Sequence, residues 1–530
     1  MRNRTIPTAL LLCLFFACLP RTATAQASSK TPELFTYEEL VQLYEQTDPP
    51  EPLQNKLNLL LTTPFVSNAA AAKGVRPLLP LSPKLGKFLR VVEWNIERGL
   101  EYEAIKSAFG DQQTFSKLLD PAHHPRGSEK RKQVLNQVAL MKQADVIVLN
   151  EVDWGMKRTD YRNVAAELAA ALGMNYAYGV EFVEVDPIAL GRETFEELSE
   201  KDQKDLGAEI KVDPASYKGF HGNAILSRFP LENVKLRPFT YQAHDWYADE
   251  IKSISPVEKG KRKAADLVLQ EKIRREVRRG GRMMLTAEIA DAQLPGGRVT
   301  IVATHLEDKT KPEGRRKQIE ELLAQLADVK TAVVLAGDLN TSTSDGTNTS
   351  LRRELKNRLG SRSFWLKQGL SILTGIKLPS LAVDSINTYR KHSDPTVRSI
   401  PLVAKNAEAE FFERIKEFRF NDGGAFDFRG ERQRSVDERS AVLANSNQRG
   451  EKGFVTTFEV ERTIAFVGKF KLDWFFVKPP ALTDPEAKDQ PFLFAPHFGR
   501  TLKTLNESIE DRISDHAPLM IDLPLTEPRL

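Results

Sequence analysis

Val333-Val334-Leu335-Ala336-Gly337-Asp338-Leu339-Asn340 is an apolar run that stops at a glycine and then sets an acid and an amide two positions apart. The apolar part, β-branched at its start, predicts a strand buried on both faces. Side chains alternate along a strand, so Asp338 and Asn340 share one side of its carboxyl end. Open α/β sheets bind ligands at that end. A carboxylate beside a neutral amide suits the handling of a water molecule next to an anionic substrate. Asp-x-Asn after a strand is also a common turn signal, so the meaning of the stretch depends on its company.

The same arrangement recurs. Val91-Val92-Glu93-Trp94-Asn95-Ile96-Glu97 ends with Asn95 and Glu97 on one side, Val146-Ile147-Val148-Leu149-Asn150-Glu151 delivers Glu151, and Val299-Thr300-Ile301-Val302-Ala303-Thr304-His305 delivers His305. Ser514-Asp515-His516-Ala517-Pro518 precedes a last apolar run. Each piece has a plainer reading. A lone histidine after a strand is commonly structural, Asp473 in Lys471-Leu472-Asp473-Trp474 fits a strand cap, and Glu151 fits a surface ion pair. Recurrence weighs against these readings together, because apolar strands repeatedly stop at a side chain competent for metal or phosphate.

Strands are expected at 88–94, 146–150, 224–227, 284–289, 299–304, 332–336, 472–477 and 519–523, and helices at 130–142, 164–172 and 315–327. Some strands follow one another directly and others through a helix, which favours mixed over all-parallel sheets.

The first 25 residues have the form of an export signal: basic Arg2 and Arg4, a mostly apolar run from Ala9 to Leu19, and small Ala23-Thr24-Ala25 for cleavage before Gln26. The run is too short to be read as a membrane span. Lipid attachment at Cys18 ranks below cleavage because bulky residues precede it. A secreted or periplasmic protein is expected, with no transmembrane span in the mature chain. Cys13 and Cys18 are the two cysteines and both fall in the signal, so cysteine supplies neither nucleophile nor metal ligand. Removing Arg2, Arg4 and Arg21 changes the net charge from +4 to 4 − 3 = +1, so bulk charge gives no support for a nucleic-acid partner.

Residues 26–87 read as a partly helical N-terminal extension. Thr36-Tyr37-Glu38-Glu39 fits a capping box, Pro49, Pro50 and Pro52 break the helix it starts, and 69–73 reads as flexible. Two insertions are expected, near 245–281 and 343–453. The first holds Lys259-Gly260-Lys261-Arg262-Lys263 and Arg274, Arg275, Arg278 and Arg279 among acids, a solvated helix face or a phosphate grip. The second has an aromatic, charged patch at 411–428, and long insertions usually shape substrate access.

The blocks Trp94-Asn95, Asn150-Glu151, Gly222-Asn223-Ala224-Ile225-Leu226-Ser227-Arg228, Thr304-His305-Leu306, Gly337-Asp338-Leu339-Asn340, Leu472-Asp473-Trp474 and Ser514-Asp515-His516 resemble, in kind and in order, the endonuclease/exonuclease/phosphatase superfamily with its DNase I-like fold. The resemblance spans 88–524, leaving 525–530 as a tail. It implies an α/β fold, a four-layer sandwich of two mixed β-sheets flanked by helices. It implies Mg²⁺ or Mn²⁺ held by Glu151 with Asn95 and Asp515, hard oxygen donors suited to such ions. Glu97 is a second-rank metal candidate, since members that cut at abasic sites carry a shorter acid there.

The resemblance further implies that Asp338 deprotonates the attacking water and that Asn340 holds the phosphate or Asp338. His305 and His516 then donate to phosphoryl oxygens, Asp473 orients His516, and Asn223 adds a phosphate contact. His221 faces the site or stabilises a turn. The expected protein is thus a secreted, metal-dependent phosphoesterase, foremost a phosphodiesterase or nuclease. The alternatives are a sphingomyelinase-like enzyme acting on phospholipid head groups and a non-catalytic binding protein of the same fold. The inositol-polyphosphate phosphatase branch is disfavoured by Leu335 and Thr341-Ser342 at its marker positions. The basic stretch leans toward nucleic acid, whereas Phe364-Trp365-Leu366 and 370–373 would serve a lipid surface. No stable protein partner is evident.

Overall fold

A computed structural model describes residues 31–187, 189–192, 212–251, 276–341, 408–429, 457–464 and 467–529. In chain order the strands are β1 (Phe65–Ser67), β2 (Leu81–Ser82), β3 (Gly86–Arg98), β4 (Val146–Trp154), β5 (Asn175–Glu184) and β6 (Phe220–Ser227). They continue with β7 (Leu231–Pro238), β8 (Arg278–Gly280), β9 (Met283–Ala290), β10 (Arg298–Thr304) and β11 (Ala332–Asp338). The rest are β12 (Phe458–Ile464), β13 (Val467–Phe470), β14 (Asp473–Lys478), β15 (Phe498–Thr501) and β16 (Leu519–Pro524).

One sheet of nine strands runs β1-β5-β6-β4-β3-β16-β15, with β2 beside β3 and β8 beside β5. A sheet of five runs β14-β11-β10-β9-β7, and β12 and β13 form a hairpin. The pairs β3–β4 and β10–β11 are parallel while their neighbours are antiparallel, so both large sheets are mixed.

Alternation along each strand builds the layers. Val334 and Ala336 of β11 pack inward with Val91, Val146, Val148 and Ile225 of the other sheet. Val333 and Leu335 face outward onto Leu322 and Leu326 of the helix Pro312–Leu326. On the far side Trp94, Leu149 and Tyr178 pack against the helices Glu129–Met141 and Val164–Leu172. Helices, sheet, sheet, helices: two mixed β-sheets flanked by helices form an α/β fold of the DNase I-like type. Each buried Leu, Val or Phe in these layers contributes about 1.5–3 kcal/mol.

Gly337 sits where β10 and β11, neighbours in the five-stranded sheet, come closest. Its φ of 151° and the 1.9 Å that would separate an added Cβ from the Thr304 carbonyl oxygen leave room only for hydrogen. The glycine before Asp338 therefore lets β10 and β11 close together at the functional end.

The helix begun at the Thr36 capping box ends at Glu45, ahead of the prolines, and Pro52 lies in the first turn of a second helix, Glu51–Thr62, where its missing N–H costs nothing. Two expectations are corrected. Residues 69–73, read as flexible, include the short helix Ala69–Ala72. The aromatic patch at 411–428 is core: Phe411 and Phe412 of the helix Ala409–Glu417, with Phe420 and Phe426, pack on Trp474 and Phe476. Lys259 to Arg275, Phe364-Trp365-Leu366 and 370–373 lie outside the described residues, as do all 25 residues of the expected export signal. Among the described residues no helix is long and apolar enough to cross a membrane.

Candidate active site

Register breaks line up across the large sheet, between Asn95 and Arg98 in β3–β4, Leu149 and Val152 in β4–β6, and Val180 and Phe182 in β5–β6. At these bulges Glu97, Arg98 and Glu151 take left-handed backbone, φ 46°, 68° and 51°. Bulges re-aim side chains and are frequent beside active sites. Here they coincide with the strand ends that carry Glu97 and Glu151.

Asp338 is the centre. It lies opposite Asp473 in the β11–β14 register. Its Oδ2 accepts from Asn95 Nδ2 at 3.2 Å and lies 3.5 Å from His305 Nε2 and 3.6 Å from His516 Nε2. Its Oδ1 accepts from the Asn340 backbone N–H at 2.8 Å. The same Asn95 Nδ2 donates to Glu151 Oε1 at 3.1 Å, so one amide spans the two acids. His516 Nδ1 lies 2.8 Å from Asp473 Oδ2. The 514–516 loop is fixed by Ser514 Oγ donating to the Asn95 carbonyl and by Trp94 Nε1 donating to the His516 carbonyl.

Asn340 Nδ2 donates to the Leu306 carbonyl at 3.0 Å and lies 3.1 Å from His305 Nε2. With Nε2 accepting, the His305 proton sits on Nδ1, which lies 4.0 Å from Glu181 Oε2; among the described residues neither of these buried atoms has a hydrogen-bond partner. Arg282 secures Glu181 at 3.2 Å and Glu307 at 3.3 Å.

The site therefore assembles Asp338, Asn340, His305, His516, Asp473, Asn95 and Glu151. Asn223 stands one step behind, its Oδ1 accepting from Asn150 Nδ2 at 2.8 Å. Asp515 N donates to Glu97 Oε2 at 2.9 Å, which brings these two acids together.

Sequence reading missed Asn150, Glu181 and Arg282. Asn150 is fully buried and its Nδ2 also donates to the Thr304 carbonyl, while its Oδ1 accepts from the Asp338 backbone N–H at 2.8 Å. It ties β4 to the ends of β6, β10 and β11, and its place directly before Glu151 was the available signal. Asn150→Ala is expected to cost about 2–4 kcal/mol by stranding these buried partners, and to lower kcat by loosening Asp338. Urea unfolding and steady-state kinetics check both, and unchanged values for either would remove Asn150 from that role.

Electrostatics separate the groups. Burial pushes the Asp338 carboxyl up to about 7, with Asp473 adding and His516 opposing. Burial alone would lower His516, but Asp473 and Asp338 outweigh it and hold the imidazole well above its ordinary value, as a cation. His305 is driven well below its ordinary value by burial and then by Arg282, and is neutral. Glu93, on β3, is fully buried, and among the described residues neither of its carboxyl oxygens has a hydrogen-bond partner; burial, then Asp473 and Asp338, push it well up, into the neutral acid.

At the other end, burial works to raise Glu151, but His221, Arg98 and the Asn95 hydrogen bond prevail and hold it below its ordinary value. Glu97 is pushed up to about 8 by burial, then by Asp515, with Glu151 adding. Crowded carboxylates of this kind fit a divalent cation, which would relieve their repulsion with oxygen donors. Asp338, Asp473 and His516 also place ligand-competent atoms within 4.8 Å of one another. There His516 is held as a cation, with no lone pair to offer a metal ion, which leaves Glu97, Glu151 and Asp515 as the other candidate group.

Residues 92–516 match the model of the Endonuclease/Exonuclease/phosphatase family. The chain belongs to this family. Its members hydrolyse phosphate esters and are generally dependent on a divalent metal.

Among solved structures, one similar to this family member is an endonuclease/exonuclease/phosphatase from Beutenbergia cavernae, 18% identical over 83% of this chain and 72% of that one, with a TM-score of 0.35. The catalytic domain of human Nocturnin is 12% identical over 87% and 96%, with a TM-score of 0.33. A 3'-5' exonuclease from Neisseria meningitidis is 12% identical over 82% and 99%, also with a TM-score of 0.33. No curated protein matches the chain.

Proposed function

We propose that this family member is a secreted, Mg²⁺- or Mn²⁺-dependent phosphodiesterase of the nuclease type, hydrolysing its substrate with a water activated by Asp338. The observation that carries the proposal is the setting of Asp338 Oδ2: one amide hydrogen bond from Asn95, which also reaches Glu151, and an imidazole Nε2 on either side at 3.5 and 3.6 Å.

In this reading Asp338 accepts a proton from water as the oxygen attacks phosphorus. His516, kept cationic by Asp473, donates from Nε2 to a phosphoryl oxygen and offsets charge growing there. Asn340 fixes Asp338 through its backbone N–H and holds His305 in place with its amide. Neutral His305 gives shape and a hydrogen bond rather than charge. Glu151, with Glu97 and Asp515, would hold the cation, and Asn95 would keep Glu151 and Asp338 in register. A bound Mg²⁺ or Mn²⁺ supplies charge neutralisation at a phosphate oxygen and at the leaving group.

Since Asp338 works as the carboxylate, activity should fall as pH drops. The kcat/KM profile is expected to show an acid limb with a midpoint at or below about 7, the cation drawing it lower than in the bare site. A profile flat from about pH 5 to 8 would remove Asp338 as the base.

The nucleic-acid preference rests on the basic stretch beginning at Lys259. Its described end serves the fold: Arg279 donates to the Leu43, Gln46 and Thr47 carbonyls, and Arg278 pairs with Glu276. Parallel hydrolysis of plasmid DNA and sphingomyelin by the chain from Gln26 tests the preference. DNA cleavage whose binding weakens steeply with salt supports the nuclease reading; head-group release without DNA cleavage overturns it.

A further inference from the structure

The helix Glu129–Met141 and the segment 500–502 line a cleft of about 430 Å³. Gln133 and Asn136, one turn apart on that helix, and Arg500 of β15 border this space. Lys132 and Glu129 also border it, but they pair with each other at 2.7 Å and their charges cancel. Arg500 lies opposite Met520 in the sheet, and Met520 opposite Val92, three residues before Asn95. The cleft is thus set off from the active site by about 10 Å along the strands and by two strand spacings across them.

This region holds one cation more than its counter-charge. The carboxylate beside Arg500 is Asp522, and Arg90 already takes both of its oxygens, from Nε at 2.6 Å and from Nη2 at 2.8 Å. Arg500 is left with its Nη2 3.7 Å from Asp522 Oδ2, too far for a hydrogen bond. Among the described residues its guanidinium donates to no group, and the Gln133 and Asn136 amides are equally without partners. Burial lowers the Arg500 guanidinium from its ordinary value, Asp522 opposes this and Arg90 adds to it. The group nevertheless stays charged. Its Nε is closed off, but the side chain is 30% exposed, so its outer N–H groups remain open to a ligand.

We propose that this cleft is a second anion site, in which the outer N–H groups of Arg500 hold a phosphate group flanked by the Gln133 and Asn136 amides. A guanidinium matches phosphate oxygens with paired donors, and each amide adds N–H donors beside it. The phosphate is either a free anion or one carried on the backbone of a bound nucleic acid, since both present the same oxygens.

Titration of inorganic phosphate into the chain from Gln26, in EDTA and followed through the arginine Nε–H resonances, tests the proposal. The signal missing from Arg500→Gln, or from Arg500→Lys, belongs to Arg500. It should shift saturably in wild type and equally in His516→Gln, and stay in place with NaCl of the same ionic strength. Gln133→Ala, a change on an exposed helix position, should raise the phosphate dissociation constant about threefold to tenfold. An Arg500 signal that does not move, or that moves alike in NaCl, overturns the proposal. A shift lost in His516→Gln overturns it too, because the anion would then sit in the active site. Plasmid cleavage by Arg500→Gln separates the two sources. A KM raised several-fold, with a salt slope smaller by about one, assigns the phosphate to the substrate backbone. An unchanged KM with phosphate binding lost assigns it to a free anion.

Discussion

Asp338→Asn is expected to lower kcat on the order of 10³-fold, the usual worth of a positioned general base, while leaving the fold and cation binding in place. The amide keeps the shape of the carboxyl and can still accept from the Asn340 N–H through its oxygen, so the turn that follows β11 keeps its hydrogen bond. Stability should move in the opposite direction to activity. The Asp338 pKa is raised in the folded state, so the stability it contributes is complete below the unfolded carboxyl value and is lost as pH rises through about 7. A neutral side chain does not suffer that loss. The variant should therefore melt at the same temperature as wild type at pH 5 and at an equal or higher one at pH 8. A melting temperature clearly lower at pH 8 would show that the carboxylate is structural, and near-wild-type turnover would remove it from the mechanism.

Asp473→Asn should be almost as damaging, with a loss of kcat on the order of 10²–10⁴-fold. The variant leaves a side chain of equal size against His516 Nδ1 but takes away the charge that keeps the imidazole cationic and its ring aimed at Asp338. Proton and nitrogen resonances of His516 distinguish this from a general loss of structure. In wild type they should report an imidazolium at pH 8, and in Asp473→Asn a neutral ring, with the other histidines unmoved. An imidazolium that persists in the variant would mean that Asp338 alone holds the charge.

Asp338 was readable from sequence because it closes a local pattern, an apolar strand stopping at a polar side chain, and the same holds for Glu151 and His305. Asp473 and His516 instead stand at or before the start of apolar strands and were read from the blocks of the family resemblance. The strands themselves followed from runs such as Val146-Ile147-Val148-Leu149, buried on both faces. What escaped depends on contacts between distant segments. Glu181 lies within β5 and looks like any charged residue of a strand until the fold brings His305 to 4.0 Å from it. Arg282 directly follows a basic stretch whose composition suggested phosphate, yet it is buried between Glu181 and Glu307. The 411–428 aromatics suggested an access surface because nothing local revealed that Trp474 and Phe476 would cover them. The bulges at Glu97 and Glu151 also leave no local mark, since left-handed backbone at a glutamate has no sequence signature.

Cleavage of plasmid DNA by the chain from Gln26, with Mg²⁺, Mn²⁺ or EDTA and with Asp338→Asn alongside wild type, tests the account most directly. It predicts nicking with either cation, none in EDTA and a loss on the order of 10³-fold in the variant. Cleavage that survives both EDTA and the substitution would contradict it.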